Sequence, residues 1–363
     1  MARREKIGQA GRASKRSKTN TMKTLRFAIL GTGFWARFQL AAWRELEGAE
    51  CVALYNRTRS KAESLAQEFG VRAIYDDAEE LFKCEQLDFA DIISDVDTHA
   101  RFVHLAARHS VPVICQKPMA PDLPTARDMV RVCEEAGVPL WIHENWRFQT
   151  PLRALKATLE SGVIGEVFRA RLSFVTSFPV FDNQPFLREL EQFILTDIGS
   201  HVLDSARFLF GEASTLFCQT HRVGDIRGED VATVVMQMQF AGKRAATVVC
   251  DMSYASRTRE ERFPQTFAFV EGTRGSAQLS TDFWLHVTTE EGTCSRRAPP
   301  PHYAWADPEY DLVHASILPC NADILADLRG EKPSENRACD NLKTVELVFG
   351  AYRSAAQNQV VTL

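Results

Sequence analysis

The stretch "AILGTGFWA", residues 28–36, decides how the rest of the chain is read. It closes the apolar run "LRFAIL" and opens "FWARFQLAAWREL", whose apolar residues recur at helical spacing. Gly31-x-Gly33-x-x-Ala36 therefore falls at a strand-to-helix turn. Gly31 permits the tight turn, Gly33 leaves room for a pyrophosphate, and Ala36 lets the helix lie close to the strand. The unpaired N–H groups of the helix N-terminus would face the phosphates. Gly31, Thr32, Gly33, Phe34 and Trp35 are thus candidate dinucleotide contacts. The bare pattern is weak, and a glycine-rich turn without a ligand competes with it. The alternation around it lends it weight.

Working outward, "CVALYN", "FADIISD", "VPVICQ" and "PLWIHEN" read as further strands. "RSKAESLAQEF", "HARFVHLAARH" and "LPTARDMVRVCEEAG" read as helices between them, with "DDAEELFK" a short helix or helical turn. Strands separated by helices of this length predict a doubly wound parallel α/β sheet over residues 23–145. An NAD site usually carries an acid at the end of the second strand, for the ribose 2′-hydroxyl. Here Asn56 stands in that place and Arg57 follows, with Thr58 and Arg59 beyond. A guanidinium pairs with a 2′-phosphate, which tilts the reading toward NADP. Arg57 stacked on the adenine would suit NAD equally.

The 363 residues favour two domains. With 45% hydrophobic and 25% charged residues, the composition is that of an ordinary globular protein. A formal net charge of −4 argues against nucleic acid or a membrane surface as the main partner. The nine cysteines are odd in number and lack Cys-x-x-Cys spacing. That disfavours a disulfide framework or a zinc site and fits a reducing cytoplasm. The opening "MARREKIGQAGRASKRSKTNT" holds seven Lys or Arg and one Glu. It lacks the apolar centre of a secretory signal, and residues 1–22 are read as a disordered basic extension, or as sequence ahead of a true start at Met22.

After Asn145 the rhythm changes. "TPLRALKATLESG" is a helix; "VFRARLSFVTSF", "STLFCQTHRV", "VATVVMQMQF", "RAATVVCDMSY", "QTFAFVEG" and "SAQLSTDFWLHVTT" alternate as antiparallel strands. "FILTDIGSHVLDSARFLFG" is a helix among them, and helices return at the C-terminal end. The segment "EEGTCSRRAPPPHYAWADPEY" reads as an exposed loop. Residues 146–363 are expected to form an α+β domain with a largely antiparallel open sheet.

In "CQKPMA", residues 115–120, a lysine follows a buried strand that proline then stops. Lys117 either snorkels to solvent or is aimed at a ligand, since parallel α/β sheets bind ligands beyond the carboxyl ends of their strands. Asp197 and His201, four residues apart in "TDIGSHVLD", would share one helical face. A histidine titrating near neutral pH suits proton removal from a hydroxyl. An Asp-x-x-x-His metal site is the alternative, but no third ligand stands at helpful spacing, so no metal is expected.

With "DTHARFVHLAARHSVPVICQKP", "HENWRFQTPLRALKATLESGVIGEV" and "TDIGSHVLDSARFLFG" in this order, the chain from residue 24 onward resembles the Gfo/Idh/MocA oxidoreductases, a family that includes glucose–fructose oxidoreductase and inositol dehydrogenases. The resemblance implies that Lys117 lies between nicotinamide and substrate, as electrostatic partner or proton relay. It implies that His201 is the general base and that Asp197 orients substrate or raises the basicity of the imidazole. It places Asn145 and Arg147 in a substrate-contacting segment at the domain junction, with His143, Glu144 and Trp146 as weaker candidates. Two departures stand out. Gln116 replaces the family's Glu before the lysine, which removes a stabilising neighbour for the ammonium. "SDVDTH" replaces a Thr-Pro-Asn-like turn, so that Asp97 or Asp95 could reach a ribose, and His99 would fasten the loop. Gln116, Lys117, Asp97 and His99 complete the expected cofactor environment. The wording "HENWRFQ" and "ILTDIGSHVLD" is similar to the family's apiose (branched pentose) dehydrogenase branch.

The expected activity is NAD(P)-dependent oxidation of a secondary or anomeric hydroxyl of a sugar, polyol or inositol. The expected protein is cytoplasmic, and a homodimer or homotetramer through the open sheet. Two rivals are an NAD-dependent glycosidase or lyase without net redox, and a non-catalytic dinucleotide sensor.

Overall fold

The computed structural model describes residues 23–240, 242–256 and 265–363; the basic extension at residues 1–22 lies outside them. In the first half, β1 (Leu25–Leu30) leads to α1 (Phe34–Arg44), β2 (Ala49–Tyr55), α2 (Arg59–Phe69), β3 (Ala73–Tyr75) and α3 (Ala78–Cys84). β4 (Phe89–Ile92), α4 (Val96–Arg108), β5 (Val113–Gln116), α5 (Leu123–Ala136) and β6 (Leu140–His143) follow. The strands form one six-stranded sheet in the order β3-β2-β1-β4-β5-β6, and every pairing is parallel. This is the doubly wound order whose chain reversal, between β1 and β4, opens a crevice at the carboxyl ends.

Local chemistry sets the boundaries. Gly70 ends α2 and Gly137 ends α5 in the left-handed region. Asp122 starts α5, its carboxylate accepting the Thr125 N–H at 2.7 Å. β3 is a three-residue edge strand with no fully buried residue, so no apolar run announced it.

A single 3₁₀ turn, Trp146–Phe148, joins the halves. Then come α6 (Thr150–Glu160), β7 (Val167–Val175), α7 (Val180–Asn183), a π-helical turn Leu195–Gly199 and α8 (Ser200–Phe210). Next are β8 (Glu212–His221), β9 (Val231–Gln239), β10 (Ala246–Ser253), β11 (Phe267–Gly272), β12 (Gly275–Leu279), β13 (Trp284–Thr289) and β14 (Gly292–Arg297). α9 (Asp311–Leu328), α10 (Ala338–Gln357) and β15 (Val361–Thr362) end the chain. The nine-stranded sheet runs β14-β13-β12-β11-β7-β10-β9-β8-β15. It is antiparallel except where β7 meets β10.

Two expectations are corrected here. "SAQLSTDFWLHVTT" is two strands, broken at Ser280–Phe283 where Asp282 and Phe283 take positive φ. The stretch taken as an exposed loop contributes β14 over Gly292–Arg297 before it becomes irregular. Its side chains are all exposed, so no burial pattern marked it as a strand.

α8 and α10 cover one face of the large sheet, with Val202, Ala206, Leu209, Leu347 and Ala351 packed on Val234, Val248 and Cys250. The last two helices also return to the first half. Cys320, Ile324 and Leu325 of α9 pack among Phe27, Ile29, Trp43 and Trp141. The main chain at Asn336 and Arg337 meets the outer edge of β6, with the Ile142 N–H donating to the Asn336 carbonyl at 2.9 Å.

Candidate active site

The site lies where β5 and β6 run out beneath the π turn. Gln116 is the last residue of β5, so Lys117 leaves the sheet at its carboxyl end. The Lys117–Pro118 peptide is cis. His99, 1% exposed, holds this loop: Nδ1 faces the carbonyls of Pro118 and Met119 at 3.2 Å each, and Nε2 that of Ser94 at 3.0 Å. It fastens the loop and does not reach the crevice.

The Lys117 Nζ donates to the Asp197 carboxylate at 3.2 Å and to its carbonyl at 3.3 Å. Side-chain exposures of 19% and 13% make this a half-shielded pair, with enough opening for a ligand to reach it. The second Asp197 oxygen accepts from the Tyr254 hydroxyl at 3.1 Å. Asp197 sits within the π turn, where the extra residue per turn bulges the backbone toward the lysine. Such bulges recur at functional sites because they re-aim a side chain without ending the helix.

His201 is 5% exposed and stacks on Trp146, with ring centres 4.2 Å apart. Its Nδ1 lies 2.6 Å from Oε1 of Glu144. The same oxygen accepts the Trp146 N–H at 3.0 Å, which fixes it as an acceptor and places the Nδ1 proton toward it. Nε2, which has no hydrogen-bond partner among the described residues, is left with its lone pair. Burial, then the nearby Lys117 charge, hold the imidazole well below its ordinary pKa, so it is neutral. Burial pushes the Glu144 carboxyl upward, against the Trp146 N–H and the charges of Lys117 and Arg147.

The structure therefore redistributes the expected roles. Lys117, Asp197 and His201 come together as anticipated. Glu144 makes the hydrogen bond to the imidazole, while Asp197 pairs with Lys117 and its charge still favours the imidazolium. Asn145 and Arg147, expected in a substrate-contacting segment, have their side chains engaged with other protein groups. Asn145 donates to the Val313 carbonyl at 3.2 Å and to Ser316 at 2.9 Å. Arg147, buried, forks onto Asp204 at 2.7 and 2.5 Å and donates to the Glu335 carbonyl at 2.9 Å. Asn145 ties the junction to α9, and Arg147 ties it to α8 and the Glu335 main chain. Tyr254 was not anticipated, and its only signal was a tyrosine just past a strand end.

On the cofactor side, a Cβ at Gly31 would stand 2.2 Å from the Ile93 carbonyl oxygen, and φ there is +106°. Only glycine fits. A Cβ at Gly33 would meet nothing within 4 Å, so the turn presents open backbone at the start of α1. No side chain caps that helix. An uncapped N-terminus behind an open glycine fits a pyrophosphate. Phe34 and Trp35 stack edge to face and against Tyr310, and so wall this region. Asn56 bonds Thr32 across the mouth of the turn. Arg57 is exposed and forms no ion pair among the described residues, and Asp95 and Asp97 stand exposed at the start of α4. Among the described residues, no group of three or more His, Cys, Asp or Glu could hold a metal ion. Among the described residues, no helix is long and apolar enough to cross a membrane.

Residues 25–144 match the oxidoreductase family model with an NAD-binding Rossmann fold, and residues 152–278 match the GFO/IDH/MocA C-terminal domain. The chain belongs to the Gfo/Idh/MocA oxidoreductase family. It is 42% identical to a D-apiose dehydrogenase of Paraburkholderia graminis, over 95% of this chain and 91% of that protein. It is 41% identical to a D-apiose dehydrogenase of Rhizobium rhizogenes, over 94% and 98%. Among solved structures it matches an oxidoreductase from Agrobacterium radiobacter in complex with NAD+, L-tartaric acid and magnesium. That match has a TM-score of 0.90 and 41% identity, covering 94% of this chain and 98% of the other. Membership in the apiose dehydrogenase branch follows from these identities. The chain is an NAD-dependent dehydrogenase acting on a CH–OH group.

Proposed function

We propose that the protein oxidises D-apiose, with NAD as its main acceptor. The observation that carries this reading is the Lys117–Asp197 and His201–Glu144 constellation beside the dinucleotide turn, in a chain 41–42% identical to two D-apiose dehydrogenases. Lys117 Nζ hydrogen-bonds the reacting hydroxyl oxygen and stabilises the negative charge that grows on it. Asp197 and Tyr254 hold that ammonium in place. His201 Nε2 takes the hydroxyl proton, and Glu144 steadies the imidazolium so formed. When bound, the nicotinamide supplies the hydride acceptor at the same carbon. The substrate thus loses a proton to His201 and a hydride to the cofactor, and a C–OH becomes C=O.

Arg57 at the end of β2 is free to meet a 2′-phosphate, so NADP is accepted as a second, weaker cofactor. The open face of the large sheet carries Phe217, Val235 and Val249 in one cross-strand row, with Arg171 of β7 between Val249 and Phe269. Exposed apolar rows of this kind favour self-association, and the protein is proposed to be a homo-oligomer through this face.

The test is a panel of D-apiose, other aldoses, polyols and inositols, each with NAD+ and NADP+, followed by the absorbance of the reduced cofactor. The highest kcat/KM is expected with D-apiose and NAD+. Turnover of an inositol or a hexose without turnover of D-apiose would overturn the substrate assignment.

A further inference from the structure

Behind Lys117 a chain of hydrogen bonds runs into the core of the dinucleotide domain. Asp91 of β4 is 0% exposed, and no cation reaches its carboxylate among the described residues. It accepts from Nε2 of Gln39 at 2.8 Å on both oxygens, and from the Trp43 indole at 2.9 Å. Gln39 turns its Oε1 the other way, where it accepts from Nε2 of Gln116 at 2.8 Å. Gln116 in turn accepts the Lys117 N–H on its Oε1 at 2.9 Å. A weaker branch runs from Gln116 Nε2 to Nδ1 of His143 at 3.4 Å, and from His143 Nε2 to Asn321 at 2.9 Å. Burial pushes His143 down to about 4, so the ring is neutral and one nitrogen can accept while the other donates.

The polarity of this chain is forced from its far end. Burial pushes the Asp91 carboxyl up to about 7, against the Trp43 and Gln39 hydrogen bonds, and above that pH the ionised carboxylate only accepts. Gln39 must therefore present its amide N–H groups to Asp91 and its oxygen to position 116. Position 116 must then donate to Gln39 and, through its other atom, accept from Lys117 N–H. A primary amide meets both demands. A carboxylate at 116 would set oxygen against oxygen at the Gln39 contact, in a site where neither can turn to water.

We propose that Asp91 is a positioning residue for Lys117: through Gln39 it dictates glutamine at position 116 and so anchors the backbone from which the lysine reaches the substrate. The negative charge that family members carry beside the lysine is, in this chain, held one strand away. The consequence for catalysis rests on the role of Lys117 in the proposed dehydrogenase reaction. The polarity argument itself does not.

The test is a reversal of polarity. Asp91→Asn keeps the shape but adds a donor. The new Nδ2 takes the place of the carboxylate oxygen that now accepts only from Gln39. Gln39 then flips, Gln116 flips after it, and Lys117 N–H faces a donor. Gln116→Glu alone places two acceptors in contact at Gln39. The double variant D91N/Q116E restores one donor and one acceptor at every main link, with Gln39 reversed and His143 changing tautomer. Each single variant is expected to lose at least tenfold in kcat with D-apiose and NAD+, with KM changed less than threefold. Gln116→Glu should also lower the melting temperature, more in the wild-type background than beside Asp91→Asn. The double variant should recover most of both losses, a rescue that two independent packing defects would not give.

A double variant no better than its worse parent, in activity and in melting temperature, overturns the proposal. So does an Asp91→Asn variant with wild-type kcat. The wild-type control separates this failure from that of the substrate assignment. If the wild type does not turn over D-apiose, the cycle of melting temperatures still reports whether positions 91 and 116 are coupled through Gln39.

Discussion

Replacing Glu144 by Gln isolates the charge beneath His201 from its geometry. The amide oxygen can still accept the Trp146 N–H and the Nδ1 proton, which now meet one carboxylate oxygen at 3.0 and 2.6 Å. The ring therefore keeps its place on Trp146. What is lost is the partner of the imidazolium, which exists only once the substrate proton has arrived. A hydrogen bond to a charged group contributes about 1.5–3 kcal/mol. At about 1.36 kcal/mol per tenfold in rate, the loss in kcat is about 10- to 150-fold. The pH dependence carries a second sign. A neighbouring carboxylate favours the charged ring, so its removal lowers the His201 pKa beyond where burial and Lys117 already hold it. The acid limb of kcat/KM should move to lower pH while the plateau falls. Stability should not fall, because burial has raised the Glu144 pKa above its unfolded value. Stability contributed by such a group is present below the unfolded pKa and lost as pH rises through the folded one, and Gln removes that loss. The assay is initial rate against pH with D-apiose and NAD+, beside a thermal melt. A kcat within twofold of wild type, or an acid limb shifted upward, refutes the assignment of Glu144 as the imidazolium's partner.

Two further outcomes follow from the same geometry. Arg147→Met leaves Asp204, 0% exposed, with Thr344 at 2.9 Å and Arg207 at 3.8 Å as its remaining partners. Breaking a buried pair costs about 3–5 kcal/mol, and the surviving partners place this case near the lower end. Chemical denaturation should show that loss while the sugar KM stays within about threefold; an unchanged midpoint with a KM raised tenfold would return Arg147 to the substrate pocket. Val235→Asp puts a charge into the apolar row of the open sheet, between Phe217 and Val249, and should shift the mass measured by light scattering toward a single chain. A wild-type protein that is already a single chain would remove the oligomer proposal.

The dinucleotide half was legible because its signals are local. Short apolar strands, amphipathic helices and one glycine turn determine a parallel sheet, and a sheet of that kind determines where Lys117 emerges. The pairing of charges was not legible. Glu144 and Arg147 lie three residues apart in one polar stretch, yet one braces the proposed catalytic histidine and the other is a counter-ion for α8. Their side chains leave a 3₁₀ turn in different directions, and only the approach of α8 decides which meets His201 and which meets Asp204. Asp197 was expected to share a regular helical face with His201 and to orient substrate or raise the basicity of the imidazole. The π turn re-aims Asp197 to the lysine, and a one-residue bulge has no signature in a pattern of apolar spacing. Gln116 looked like a lost charge because Asp91 belongs to a different strand, with Gln39 of α1 between them.

The meeting of Asn336 and Arg337 with the outer edge of β6 bears on how the protein is made. More than half the chain is synthesised between Ile142 and the residue that pairs with it. Until those late residues leave the ribosome, the cofactor sheet has an open edge, and the Phe27–Trp43–Trp141 core lacks the α9 side chains that complete it. A nascent chain halted after β14 would carry every candidate dinucleotide contact before α1 and along the six strands and still present a sticky, unfinished nucleotide domain. Release of the last helices, rather than emergence of the glycine turn, is the step that commits this protein to holding its cofactor.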